Sequence, residues 1–288
     1  MMRELVIDYG VPVSIFALMM IVGTELRLDD LKRAALQPRA VLTGVGGQLV
    51  VLPPLVLLIA ATVGLGPFMA TALLLLALCP GGAISNTYSY LARCNVSLAA
   101  TITAIGTLCS IVSIPVWLAI VPRWIPLSPT LVEVPTSTIL AQLGFFMVLP
   151  MALGSGFRWY WPDRVQRSAN GQRWASLAIV LLILTAAAWS VRADLYALAG
   201  VIALSATLFV LAAMLLGRFL AYGLPPKDAP VLVIESAVRN VGIATILGRM
   251  LFNAEDFGTF AGFLTGYFII EILIMLPYAQ IIRSRLPA

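Results

Sequence analysis

The chain has 288 residues, of which 61% are hydrophobic and only 11% charged, with a mean hydropathy of +1.00. A soluble domain carries about 25% charged residues, and a fold of this length could not hide so much apolar surface behind so thin a charged shell. That balance excludes a cytoplasmic enzyme, a disordered chain and a nucleic-acid binder. The net charge of +5, from 18 Lys+Arg against 13 Asp+Glu, fits basic loops at one membrane face better than a polyanion partner. The sequence holds no His, which removes imidazole triads, proton relays and His metal sites. Cys79, Cys94 and Cys109 form no C-x-x-C and read as buried thiols.

A helix needs about 20 mostly apolar residues to cross a bilayer. Nine segments qualify: 5–24, 40–62, 68–93, 96–121, 134–157, 173–191, 196–222, 229–250 and 256–282. The first ten residues, MMRELVIDYG, carry Glu4 and Asp8 and no small-residue cleavage site; they read as the start of span 1, not as a signal peptide. Pro-rich stretches such as Pro122-Arg123-Trp124-Ile125-Pro126 and Leu224-Pro225-Pro226 separate spans. With the N-terminus outside, thirteen basic residues fall inside: Arg27, Lys32, Arg33, Arg39, Arg93, Arg158, Arg164, Arg167, Arg173, Arg218, Lys227, Arg283 and Arg285. Four fall outside (Arg3, Arg123, Arg192 and Arg249), and Arg239 lies within a span. The positive-inside bias therefore predicts a multi-pass cell-membrane protein, N-terminus out and C-terminus in, and the short termini suit a bacterial inner membrane.

Span 3, ALLLLALCPGGAISNTYSYLAR, contains Pro80-Gly81-Gly82. Pro80 lacks an amide hydrogen and the glycines free the backbone, so the helix should unwind where it is buried in protein or lines a watery cavity. Ser85 and Asn86 follow, at the positive end of a second half-helix. Span 8, APVLVIESAVRNVGIATILGRM, places Glu235 and Arg239 four apart, where they could pair on one helical face. Asn240 and Gly242 come next. Charges at membrane depth usually face the interior and serve a pathway. Gln48 in span 2, Thr101, Thr103 and Thr107 in span 4 and Glu271 in span 9 are further intramembrane polar groups; most of the threonines read as structural, and Glu271 as a proton site or an acid with an unidentified partner. Trp159 and Trp161 read as interfacial anchors.

The chain also matches itself at one offset. Leu42-Thr43-Gly44-Val45 resembles Leu198-Ala199-Gly200-Val201, Leu91-Ala92-Arg93 resembles Leu247-Gly248-Arg249, and Thr103 and Gly106 match Thr259 and Gly262, each pair 156 apart. Spans 2–4 would then recur as spans 7–9, entering from the opposite side: the inverted-repeat plan of many secondary transporters. The predicted fold class is an all-α polytopic membrane protein with two broken, crossing helices.

CPGGAISNTYSYLARCNVSLAATIT, residues 79–103, resembles the signature of the bile acid:sodium symporter family, C-P-G-G-x-x-S-N followed by L-A-R-x-N. GTELRLDDLKR, GQLVVLPP and ESAVRNVG fall in the family's order, so the resemblance covers essentially the whole chain. It implies ten helices, or nine without the first, as a panel domain (1–38 and 133–195) and a core domain (39–122 and 196–288). It implies no cofactor, sodium as coupling ion, and a small or amphipathic organic anion as cargo. Of the family's first sodium site, Ser85, Asn86, Thr103 and Glu235 match, while one serine ligand falls on Ala99. Of the second, Gln48 and Glu235 match, but a glutamine is replaced by Arg239. Arginine has five donors and no acceptor, so it cannot ligate sodium; the expectation is a built-in cation that replaces that ion and neutralises Glu235. Gly82, Ala83 and Ile84 amides with Asn240 and Arg239 are the expected anion contacts. Alternatives of the same plan are a proton-coupled or uncoupled carrier using Glu235 or Glu271, or an arsenite- or auxin-type efflux carrier using Cys79. No Ser–Lys dyad or acid cluster supports an intramembrane enzyme.

Overall fold

The computed structural model describes residues 11–25, 36–123, 128, 136–190 and 192–286. Among these residues the protein is helical, with no strand beyond one isolated bridge. The helices are α1 (Val11–Glu25), α2 (Pro38–Gly46, Gly47–Val51 and Leu52–Val63 in continuity), α3 (Pro67–Leu78), α4 (Ala83–Leu91) and α5 (Val96–Ile120). They continue as α6 (Thr136–Leu143, Gly144–Val148 and Leu149–Tyr160 in continuity), α7 (Pro162–Ser190), α8 (Arg192–Leu220), α9 (Ala229–Ala237), α10 (Val241–Leu251) and α11 (Ala254–Arg285). Among the described residues, five stretches are long and apolar enough to cross a membrane: Pro38–Val63, Val96–Ile120, Leu140–Tyr160, Ala197–Leu220 and Asp256–Arg285. The protein is an all-α polytopic membrane protein.

The long stretches fall on predicted spans 2, 4, 5, 7 and 9, and spans 3 and 8 are each two short helices, α3 with α4 and α9 with α10. Predicted span 6 lies inside α7, which begins at Pro162 instead of residue 173. Its polar first turns, PDRVQRSANGQR, open on Pro162, which suits the first position of a helix, and hold one further weak point, Gly171, which a helix interior tolerates at about 1 kcal/mol, so the helix extends beyond the apolar run. Glu4, Asp8, Arg27, Lys32, Arg33, Trp124, Ile125 and Pro126 lie outside the described residues.

Proline shapes two of the long helices. In α2, Pro53 has no amide to offer the Leu49 carbonyl. The turn widens to a π segment, in which the Leu52 amide reaches Gly47 O, and the Trp117 indole of α5 donates to Leu49 O at 2.7 Å. The same spacing recurs in α6, where the π segment Gly144–Val148 precedes Pro150. Trp117→Phe is expected to cost about 1 kcal/mol, one net hydrogen bond, read as a small fall in the thermal unfolding midpoint.

Glycine sets the closest helix contacts. A Cβ on Gly154 of α6 would meet Met20 O and lie 3.0 Å from Thr24 N of α1, and one on Gly217 of α8 would lie 2.7 Å from Val233 Cα of α9. Thr24 at this seam donates to Gln172 Oε1 of α7 at 2.8 Å, and Arg158 donates to Thr24 O at 2.6 Å. Gly154→Val is therefore expected to cost about 1–3 kcal/mol by overpacking. Gly156→Ala, which points into open space, should leave the unfolding midpoint unchanged.

Loops carrying predicted inside charges meet at one end of the bundle. Arg39 donates to Tyr222 O at 3.0 Å, beside Gly223. Asn95, two residues after Arg93, takes Lys227 O on its amide at 3.0 Å and donates its side-chain amide to Asp228 Oδ1 at 2.8 Å.

Candidate functional site

Both breaks form, and they meet. Helix α3 stops at Leu78, Cys79 turns to extended backbone (φ −72°, ψ 143°), and α4 resumes at Ala83. Helix α9 stops at Ala237, Val238 is extended (φ −93°, ψ 114°), and α10 resumes at Val241. Gly81 and Arg239 pair as an antiparallel bridge, and the Asn240 amide donates to Pro80 O at 2.9 Å. The glycines permit this approach: a Cβ on Gly82 would lie 3.3 Å from Asn240 Cα, and one on Gly81 would collide with the Glu235 carboxylate. Gly81→Ala is accordingly expected to lower the unfolding midpoint, while Gly46→Ala, with open space around it, is not.

Glu235, fully buried, is held by hydroxyls from both neighbouring helices. Ser85 Oγ of α4 donates to its Oε1 at 2.5 Å and Thr103 Oγ1 of α5 to its Oε2 at 2.9 Å, with the two hydroxyl oxygens 3.5 Å apart. Ser85 Oγ also lies 2.6 Å from Gly82 O. Asn86, next along α4, has a buried Oδ1 with no hydrogen-bond partner. A carboxylate, two hydroxyls and nearby carbonyls are oxygen donors of the kind a hard cation takes.

Arg239, 2% exposed, does not pair with that carboxylate. Its Nη1 donates to Cys79 O at 3.0 Å and to Gln48 Oε1 at 3.4 Å; its Nη2 donates to Ser236 O at 2.6 Å and to Glu235 O, the main-chain oxygen. Four of the five N–H bonds are thereby used, and Nε has no partner. The expected i,i+4 ion pair fails because α9 ends at Ala237; beyond it the side chain folds back and caps the last carbonyls of its own helix. Gln48 Oε1 accepts a second bond, from the Gly81 amide at 3.1 Å, while its Nε2 is unpartnered.

The amide ends of α4 and α10 thus adjoin. The first amides of any helix lack intrahelical partners and carry a positive partial charge; here those are the Ala83 and Ile84 end of α4 and the Val241 end of α10. Asn240 caps α10 by accepting from the Ile243 amide at 3.1 Å. Cys79 is fully buried and its thiol donates to Leu75 O at 3.2 Å. Ala99 is fully buried on α5.

Tyr267 of α11 escaped the sequence reading. Its hydroxyl donates to Ala237 O at 2.8 Å and accepts from the Arg239 amide at 2.8 Å, so it binds both sides of the second break. The one available signal was its place one turn before Glu271 in an otherwise apolar span.

The chain matches the Sodium Bile acid symporter family over residues 12–198. It belongs to that family. An uncharacterized sodium-dependent transporter of Bacillus subtilis, YocS, is 24% identical over 236 residues, 80% of this chain and 71% of that protein. The Sodium-dependent organic anion transporter of Mus musculus is 26% identical over 239 residues, 82% of this chain and 63% of that protein. The Probable sodium/metabolite cotransporter BASS1, chloroplastic, of Oryza sativa subsp. japonica is 41% identical over 95 residues, 33% of this chain and 23% of that protein. Alignments to the mouse and rice proteins thus span less than two thirds of their lengths. The names these relatives carry are transporter names, none that of an enzyme.

Proposed function

We propose that the protein is a secondary transporter of a small or amphipathic organic anion, coupled to a cation and working by alternating access. The observation that carries this reading is the crossing itself, where two half-helix amide ends abut beside a buried carboxylate cradled by Ser85 and Thr103. Sodium would bind at Glu235, Ser85, Thr103 and Asn86, replacing hydroxyl-to-carboxylate bonds with oxygen-to-metal contacts. The anion would meet the amides of Gly82, Ala83 and Ile84 with Asn240, drawn by both helix dipoles.

Arg239 would serve as a fixed cation in place of a second sodium. Its guanidinium occupies a ring of oxygens, Gln48 Oε1 and the carbonyls of Cys79, Glu235 and Ser236, which is what a sodium ion would otherwise take. Its charge acts on the anion through the field of the site, since its N–H bonds face carbonyls.

The moving parts would be a panel of residues 1–38 and 133–195 against a core of 39–122 and 196–288. Support comes from the seam of α1 with α6 and α7, and from contacts between α10 and that unit at Leu18, Met19, Phe146 and Ile179. The orientation, N-terminus out and C-terminus in, follows the charge count.

The test is uptake into proteoliposomes of organic anions first chosen by thermal shift, with and without a sodium gradient. One sodium ion per anion, with loss of uptake on dissipating the gradient, is expected. Cooperative dependence on two sodium ions would remove the role given to Arg239. Absence of any anion flux would remove the transporter reading.

A further inference from the structure

Glu271 lies on α11, fully buried, and neither carboxyl oxygen has a hydrogen-bond partner. Its surroundings account for this. The Tyr88 phenol of α4 faces it. Tyr267, one turn earlier on α11, spends its hydroxyl on Ala237 O and the Arg239 amide. Arg239 lies within electrostatic reach, yet four of its N–H bonds go to other oxygens. Among the described residues, Tyr88, Tyr267 and Arg239 are the titratable groups that interact with this acid.

An ionised carboxylate with no ion pair, and with one facing phenol as its sole hydrogen-bonding neighbour among the described residues, is strongly disfavoured inside a membrane protein. A metal ion is no better an answer. Glu235 has two hydroxyls and adjacent carbonyls around it, whereas Glu271 has one facing phenol, too few oxygens to replace the hydration shell of a sodium ion. A proton needs no such cage.

We propose that Glu271 is a proton-binding site, loaded in the conformation described here and unloaded when movement of the crossing brings the unpartnered Arg239 Nε to the carboxylate. The site is distinct from the cation cradle at Glu235. It adds a proton to the ions that set flux, and Arg239 is the group that would accompany its release. For its transport consequence alone it rests on the carrier reading above.

The decisive experiment is infrared spectroscopy of the purified full chain in lipid vesicles. A carbonyl stretch of a protonated carboxylic acid is expected in the wild type, lost in Glu271→Gln and retained in Glu235→Gln and in Tyr88→Phe. A wild type whose band survives Glu271→Gln would overturn the proposal. If that variant fails to fold, Glu235→Gln decides: with the other fully buried carboxyl among the described residues gone, the band should still be present and bleach as pH rises, and no band, or no bleaching up to the unfolding pH, overturns the proposal. The second readout is uptake of taurocholate, or of whichever anion the thermal-shift screen selects, at constant sodium. Flux should vary several-fold with pH in the wild type and be flat in Glu271→Gln; unchanged pH dependence in the variant counts against the site. Failure of all flux with the infrared result intact would sink the carrier reading and leave the protonation site standing.

Discussion

Glu235→Gln is expected to abolish sodium-dependent thermal stabilisation and lower anion uptake by at least 100-fold, while leaving the fold intact in sodium-free buffer. The carboxylate is the formal counter-charge in the Ser85–Thr103 cradle. At a separation of a few ångströms and an effective dielectric constant of about 20, its attraction for a monovalent cation is about 4 kcal/mol, or two to three decades in Kd. The amide replacing it keeps one oxygen to accept from a hydroxyl, and its NH2 can donate to the other hydroxyl, so the hydrogen-bonded shape survives. Removing a buried charge also removes a desolvation cost. The unfolding midpoint without sodium should therefore hold or rise. Thermal unfolding with and without sodium checks both halves: a sodium-induced shift that persists in the variant would move the cation away from Glu235.

Much of this site was legible in the sequence, for reasons that differ from residue to residue. Pro80-Gly81-Gly82 announces its own break, because proline removes a donor and glycine removes a Cβ, and both rules act locally. The second break has no such marker. Val238-Arg239 is ordinary helical sequence, and what ends α9 is non-local: the Pro80 carbonyl, the Tyr267 hydroxyl and a guanidinium folding back onto its own helix. The sequence predicts a break in span 8 without fixing where, and so leaves Glu235 and Arg239 four apart on one helical face.

The internal repeat shows the same limit. Residue identities recur at 156, yet the breaks themselves are separated by 159 (Leu78 to Ala237) and 158 (Ala83 to Val241). Leucine and glycine matches follow composition, whereas the break positions follow backbone geometry. The hydroxyl cradle was reached through family resemblance; spacing alone could not have joined Ser85, Thr103 and Glu235, which come from three different helices.

Arg239→Gln is expected to lower the unfolding midpoint by roughly 10 °C without sodium and to recover much of that loss when sodium is added. The guanidinium satisfies the carbonyls of Cys79, Glu235 and Ser236 and the Gln48 amide oxygen. Gln48 Oε1 keeps the Gly81 amide, so three carbonyls lose their donor; leaving a buried acceptor unsatisfied costs about 1–3 kcal/mol, and the shorter amide can donate to one of the three, so a net loss of about 3–5 kcal/mol follows. In a chain of this size each kcal/mol moves the midpoint by roughly 2–4 °C. The vacated ring then presents four oxygens plus the introduced amide oxygen, a set fit for a hard cation, and an ion that binds only the folded state raises its stability. Arg239→Met supplies neither oxygen nor donor, so its midpoint without sodium should fall further than that of Gln, and the comparison between the two is of the shift that sodium induces. Arg239→Lys keeps the charge with three donors in place of five and should fall between wild type and Gln. Uptake by Arg239→Gln should become cooperative in sodium where the wild type is not. Equal sodium responses in the Gln and Met variants would show that the ring closes on itself once the guanidinium is gone, and that the wild-type arginine holds the crossing together without standing in for an ion.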